Sequence, residues 1–192
     1  MSIARDSLMS LEAYSRARAD FRARIIPHRR LRTVFLGEHV SLQFEDELTV
    51  RYQIQEMLRI EKIFEEEGIR EEIAVYGPLV PDGSNWKATM LIEYDDEAVR
   101  RTELARLLAI EDQVWVQIAG HGKVHAIADE DLERSSADKT SAVHFLRFEL
   151  DPGMVASAKA GAALAMGVDH PNYQVSATVP EPTRAALVAD LA

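Results

Sequence analysis

Apolar residues recur at near-helical spacing through Leu8, Leu11, Tyr14, Phe21, Ile25 and Ile26, which predicts an amphipathic helix closed by Pro27. The spacing then changes to that of strands. Thr33 to Leu36 and Val40 to Phe44 flank Gly37-Glu38-His39 and read as a β-hairpin. Glu45-Asp46-Glu47 supply acids where a helix dipole favours them, and the pattern from Leu48 to Glu67 predicts a long amphipathic helix stopped by Gly68.

Tyr76-Gly77-Pro78 and Pro81-Asp82-Gly83 mark a loop. Lys87 to Tyr94 then reads as a strand, Glu97 to Leu108 as a helix and Val114 to Ile118 as a strand. Gly120-His121-Gly122 predicts a tight turn into a strand from Val124 to Ala128. The polar run 129–138 is expected to be loop or short helix, and 129–140 is the one soft spot in an otherwise continuous chain. Ser141 to Leu150 alternates, placing His144, Leu146, Phe148 and Leu150 on one face and Val143, Phe145, Arg147 and Glu149 on the other. Apolar groups on both faces predict a central strand. Asp151-Pro152 starts an Ala-rich helix expected to run to Met166, followed by a strand from Tyr173 to Val179 and a short helix from Glu181 to Leu191. The expectation is a single α+β domain over residues 1–192. A largely antiparallel mixed sheet, built from hairpins, is covered by the long amphipathic helix and several shorter ones.

Composition changes this picture in two ways. None of the 192 residues is Cys, which excludes a disulfide framework, a thiolate zinc site, an iron–sulfur cluster held by this chain and a cysteine nucleophile. The net charge of −10 argues against a general nucleic-acid binder. It also conceals a segregation: residues 1–34 hold eight Arg against Asp6, Glu12 and Asp20, so this arm is cationic on an anionic body. Its helical apolar spacing favours self-packing or a protein partner over RNA or lipid. Residues 1–30 are therefore read as a basic amphipathic helix that packs on the body or extends from it. No uninterrupted apolar stretch of membrane-spanning length occurs and the arm lacks the layout of a signal peptide, so a soluble, cytoplasmic protein is expected.

Candidate chemistry is sparse. Helical projection places Glu61 in the stripe of Val50, Ile54, Met57 and Phe64, where a carboxylate needs a partner such as Arg147, a proton or a metal. His144 lies on an apolar strand face, and Glu93 ends the Thr89, Leu91 face of a strand that can neighbour it. An imidazole with such carboxylates, Glu61, Glu93 and His144, suits iron, manganese or zinc; a lone histidine on an apolar face is more often a satisfied core residue. Gln55, Glu56 and Arg59 fall on the wetter side of the long helix and, with Arg22, Arg24, Arg29 and Arg30, are candidates for a partner surface. Trp115 is read as core or as an interface anchor. His121 and His125 have the spacing of a zinc pair, but the glycines favour a turn. No nucleophile elbow, dinucleotide fingerprint or Walker loop is present.

The run Arg32-Thr33-Val34-Phe35-Leu36-Gly37, then Phe44-Glu45-Asp46, Tyr52-Gln53-Ile54-Gln55-Glu56-Met57-Leu58-Arg59 and Glu61, resembles a bacterial family catalogued as domain of unknown function 3501. Ala88 to Glu93 and Lys139 to Phe145 fit as well, so the resemblance covers most of the chain. It implies a genomic setting beside a rubrerythrin-like protein and an iron–sulfur oxidoreductase, and hence an accessory role in redox or peroxide defence. Such a protein is a candidate partner, alongside self-association. A metal-binding oxidoreductase is the alternative. The resemblance supplies no catalytic residue.

Overall fold

The computed structural model of the chain describes residues 3–192 except 133 and 137. Among these, the elements run α1 (Leu11–Leu31), β1 (Thr33–Leu36), β2 (Val40–Phe44), α2 (Glu47–Glu61), α3 (Glu66–Tyr76), β3 (Asn85–Ile92), α4 (Glu97–Arg106), β4 (Val114–Ile118), β5 (Lys123–His125), β6 (Ile127–Ala128), β7 (Val143–Glu149), α5 (Pro152–Lys159), β8 (Leu164–His170), β9 (Tyr173–Thr178) and α6 (Glu181–Val188). The α+β class is as the hairpins imply, but the strands form two sheets. One has the order β1-β2-β3-β7-β6 and the other β5-β4-β8-β9, with every pairing antiparallel.

Period-two alternation gives each sheet one apolar face, and both faces feed a single core. Leu36, Leu42, Phe44, Trp86, Met90, Leu146 and Phe148 come from the first sheet; Val114, Val116, Ile118, Leu164, Met166 and Val168 come from the second. Trp86 also donates from Nε1 to the Leu187 carbonyl at 2.8 Å, fixing α6 to this core. Tyr173 ties the sheets at the β1–β2 turn, donating its hydroxyl to the Leu36 carbonyl at 2.6 Å. A second cluster, of Val50, Ile54, Leu58, Ile69, Ile3, Leu8 and Val80, joins α2 and α3 to the segment before α1.

The expected strand from Val124 to Ala128 is two strands in different sheets. β5 pairs with β4, Ala126 donates its N–H to the Val114 carbonyl at 2.9 Å, and β6 pairs with β7. Within a few residues the chain passes from one sheet to the other. β7 consequently lies next to the edge, covered by only the two residues of β6, while β3 takes the central place expected for β7.

Three helix boundaries also differ from the sequence pattern. α1 continues through Pro27 to Leu31, because the exposed proline leaves its unmet backbone acceptor to solvent and the last turn is held by Thr33, whose hydroxyl donates to the Arg29 carbonyl at 2.8 Å. α2 begins where expected, at an Asp46 cap with a reciprocal Thr49 bond. It ends at Glu61 rather than Glu67: Lys62 turns left-handed at φ 57° and the Ile63 N–H returns to the Leu58 carbonyl at 2.9 Å. Gly68 then lies inside α3. The Ala-rich helix ends at Lys159, and Leu164–His170, expected to begin as helix, is an inner strand. Pairing on both sides, with β4 and β9, overrides its helical propensity.

Trp115 is core, 4% exposed, and lies against Gly167 on the paired strand β8. A Cβ on Gly167 would stand 2.4 Å from Trp115 Cζ2 and 2.4 Å from the Val175 carbonyl oxygen, neither of which can retreat. Gly167→Val is therefore expected to destabilise by about 3 kcal/mol or more, at or above the upper end of overpacking costs. A thermal midpoint within a degree of the parent would contradict this packing.

Candidate functional site

The residues singled out for metal chemistry do not come together. Glu61 closes α2 and is exposed, as is Phe64 beyond it, because the helix ends before the projected stripe is complete. Glu93 follows the last residue of β3 and is also exposed, and the N–H of Glu93 donates to the His39 carbonyl at 2.8 Å. Arg147, the mate considered for Glu61, instead pairs with Glu130 at 2.7 Å and Glu149 at 2.5 Å. His144 alone of the three is enclosed, with no exposed surface. Its neighbours are two residues that pattern reading missed, Glu111 and Asp129.

Local structure places each. Alternation turns His144 inward on β7, opposite Met90 of β3. Asp129 follows β6, where the chain leaves the sheet in a left-handed conformation, φ 49°, which Asp tolerates better than most residues. There its N–H donates to the Phe145 carbonyl at 2.8 Å and its Oδ1 accepts the Phe145 N–H at 3.0 Å, so a side chain completes the ladder that the strand abandons. Glu111 sits in the 3-10 turn Ile110–Gln113 that leads into β4. Nothing in the sequence spacing links these positions; the sheet crossing brings them together.

At the centre, His144 Nδ1 lies 2.6 Å from Asp129 Oδ2, and Nε2 lies 2.8 Å from Thr140 Oγ1, 3.1 Å from the Ser141 carbonyl oxygen and 3.8 Å from Glu111 Oε2. Thr140 donates to Glu111 Oε2 at 2.9 Å, and Ser135 donates to Glu111 Oε1 at 2.5 Å. A carboxylate and a carbonyl accept but do not donate, so each ring nitrogen has an acceptor within hydrogen-bond distance. Burial pushes the Glu111 carboxyl up, but the Ser135 bond, the neighbouring His144 charge and the Thr140 bond outweigh it and hold the group below the ordinary carboxylate range. Burial raises Asp112 next door, and the Glu111 and Asp129 charges add to the rise. Arg134 closes the loop above, at 3.3 Å from Asp129, with its guanidinium 4.3 Å from the Phe145 ring centre.

Asp129, His144 and Thr140 have the order of a carboxylate–imidazole–hydroxyl triad. Two observations count against that role. The Thr140 proton is directed to Glu111 rather than to the imidazole, and Thr140 is only 1% exposed. The chemistry this arrangement offers is charge neutralisation and ligation.

The expected partner surface divides. Gln55 is buried, accepting the Met9 N–H at 2.6 Å. Glu56 faces α1, where it receives Arg18 at 2.7 and 2.8 Å and the Tyr14 hydroxyl at 2.6 Å. Helix α1 therefore packs on the body, its inner arginines paired: Arg18 with Glu56 and Arg32 with Asp190. Arg29 is half-buried over the Tyr52 ring at 5.4 Å. Arg16, Arg22, Arg24 and Arg30 are exposed on the outer side and hold no ion pair among the described residues, with Ile26 and Leu31 exposed between them. No helix among those residues is long and apolar enough to cross a membrane.

The family model described as "Protein of unknown function (DUF3501)" matches residues 2–191. A crystal structure of a novel protein of unknown function from Burkholderia pseudomallei K96243 is 55% identical in sequence, covers the whole of both chains and superposes with a TM-score of 0.96. No curated protein matches the chain.

The α1–α2 clamp gives a pH test. The Arg18 hydrogen bond, aided by Tyr14 and Arg59, outweighs partial burial and lowers the Glu56 carboxyl from 4.5 to about 2. A carboxyl depressed in the folded state stabilises above its unfolded value and loses that contribution as pH falls through the folded one. The loss of thermal stability caused by Glu56→Gln is thus expected to be full at neutral pH and to shrink as pH falls from 4.5 towards about 2. A penalty independent of pH across that window would show that the clamp is not ionic.

Proposed function

The chain belongs to the DUF3501 family of proteins of unknown function, and we propose that it acts as a non-catalytic accessory protein that docks an acidic protein partner through the outer face of α1. The observation that carries this reading is the sorting of arginines on one helix. Arg18 and Arg32, facing the body, have carboxylate partners and Arg29 lies over the Tyr52 ring, whereas Arg16, Arg22, Arg24 and Arg30 face solvent with no ion pair among the described residues, in a chain of net charge −10.

Charge complementarity guides encounter and register, and exposed Ile26 and Leu31 among the arginines supply apolar area of the kind an interface covers. The anionic remainder of the molecule disfavours long polyanions, which makes a compact acidic protein a better fit than RNA. The enclosed His144 centre offers no reacting atom to a substrate, in keeping with a binding role. The family resemblance indicates which partners to try: the rubrerythrin-like protein and the iron–sulfur oxidoreductase. Since this chain has no Cys, a cluster would belong to the partner.

Calorimetric titration of each purified partner into the full chain tests the proposal. Binding of at least one is expected, weakening as salt rises. Combined reversal of Arg16, Arg22, Arg24 and Arg30 to Glu should weaken it by about tenfold or more with an unchanged thermal midpoint. Failure to bind either partner, equal binding by the reversed variant, or preferential binding to RNA or anionic vesicles would overturn it.

A further inference from the structure

We propose that Glu111, His144 and Thr140, with the Ser141 carbonyl, form a binding site for one divalent cation of the manganese or ferrous type. Glu111, Asp129 and His144 each present a ligand-type atom, all within 4.8 Å of one another, and they reach the centre from three separate segments. Of these atoms, Asp129 Oδ2 is bonded to the far nitrogen of the ring, so the inner donors are Glu111 Oε2, His144 Nε2, Thr140 Oγ1 and the Ser141 oxygen.

Spacing supports the assignment. His144 Nε2 lies 2.8 Å from Thr140 Oγ1, 3.1 Å from the Ser141 oxygen and 3.8 Å from Glu111 Oε2, and Thr140 Oγ1 lies 2.9 Å from Glu111 Oε2. Ligands about 2.1 Å from a common ion lie about 3.0 Å apart at right angles and about 3.4 Å apart at tetrahedral angles, so the donors already stand near coordination spacing. One imidazole with a carboxylate, a hydroxyl and a carbonyl is an oxygen-rich set that favours manganese or ferrous ions over soft cuprous ions.

The surrounding bonds are of the kind found around metal ligands. Metal-bound histidines commonly donate the other ring nitrogen to a carboxylate, and ligating carboxylates are themselves hydrogen-bonded. Here Asp129 takes His144 Nδ1 and Ser135 holds Glu111 Oε1, so each charged inner donor has its remaining polar atom fixed. His144 and Thr140 are 0% and 1% exposed, so an ion reaches the site only when the structure around them opens.

The test is elemental analysis and manganese electron paramagnetic resonance on tag-free full-length protein, produced in manganese-supplemented medium and dialysed against Mn2+, with Fe2+ and Zn2+ in parallel. About one ion per chain is expected, with a bound-manganese spectrum and a raised thermal midpoint. Glu111→Gln and His144→Ala should abolish retention. Asp129→Asn, which leaves all four donors in place, should weaken affinity by about 10- to 100-fold, and Glu61→Gln and Glu93→Gln should bind as the parent does. If His144→Ala fails to fold, the Glu111 and Asp129 variants decide. Retention of none of the three metals, or uptake unchanged by Glu111→Gln and Asp129→Asn, would overturn the site.

Discussion

The guanidinium of Arg32 is 3% exposed, and the fold is arranged to answer its charge. It donates to the carbonyls of Phe44 and Glu45 at 3.1 Å and of Ala186 at 3.2 Å, pairs with Asp190 and lies 3.6 Å from Asp46. An unanswered buried cation costs several kcal/mol, whereas one with a full set of acceptors fixes whatever supplies them. Arg32 stands at the exit of α1, and what answers it is the end of β2, the start of α2 and the C-terminal segment around α6. Burial pushes Asp46 up, but the Arg32 charge, the Thr49 amide and His28 more than offset it and keep its carboxyl low. The same Asp46 caps α2. A single buried charge thus sets the position of α1 against the body, and with it which of the helix's arginines point inward.

The same constraint operates at the opposite end of the core, with its sign arrangement inverted. There a buried imidazole is bracketed by two carboxylates, and hydroxyls from Ser135 and Thr140 satisfy the oxygens that it does not reach. The arrangement depends on the chain changing sheets between His125 and Ile127. Had β5 simply continued in its own sheet, Asp129 would not meet Phe145, and His144 would be left with a polar ring in an apolar interior. The left-handed turn at Asp129 is the point where sheet topology becomes local chemistry.

This explains what could be read in advance. The β1–β2 hairpin, the acidic start of α2, the Asp151 cap and the inward face of His144 follow from signals within a few residues, and all are found. Glu61 was misplaced because projection onto a helix assumes that the helix continues, and its end is set by Lys62 in a conformation that lysine does not advertise. β8 was hidden because Leu164 and Ala165 read as part of an Ala-rich helix until two neighbouring strands claim them. Glu111 and Asp129 were invisible for a related reason: each carries its local role in a turn, and convergence on His144 is a property of the topology alone. Within the polar run 129–140, which resembled a boundary, Asp129, Ser135 and Thr140 bond at the centre; Glu133 and Ala137 lie outside the described residues.

The acidic net charge acquires a specific meaning from this sorting. Inward-facing Arg18 and Arg32 have partners because burial demands them, so their conversion to neutral residues would be felt as lost stability. Arg16, Arg22, Arg24 and Arg30 are under no such demand, since exposed charges contribute little to folding whether or not they are paired. Stability therefore gives no reason for four cations to gather on the outer side of one helix of an anionic molecule. The field they produce acts outward, over roughly a Debye length of 8 Å at physiological salt, on whatever approaches that face. The buried charges hold α1 in place, and the exposed ones are those through which the proposed docking would act.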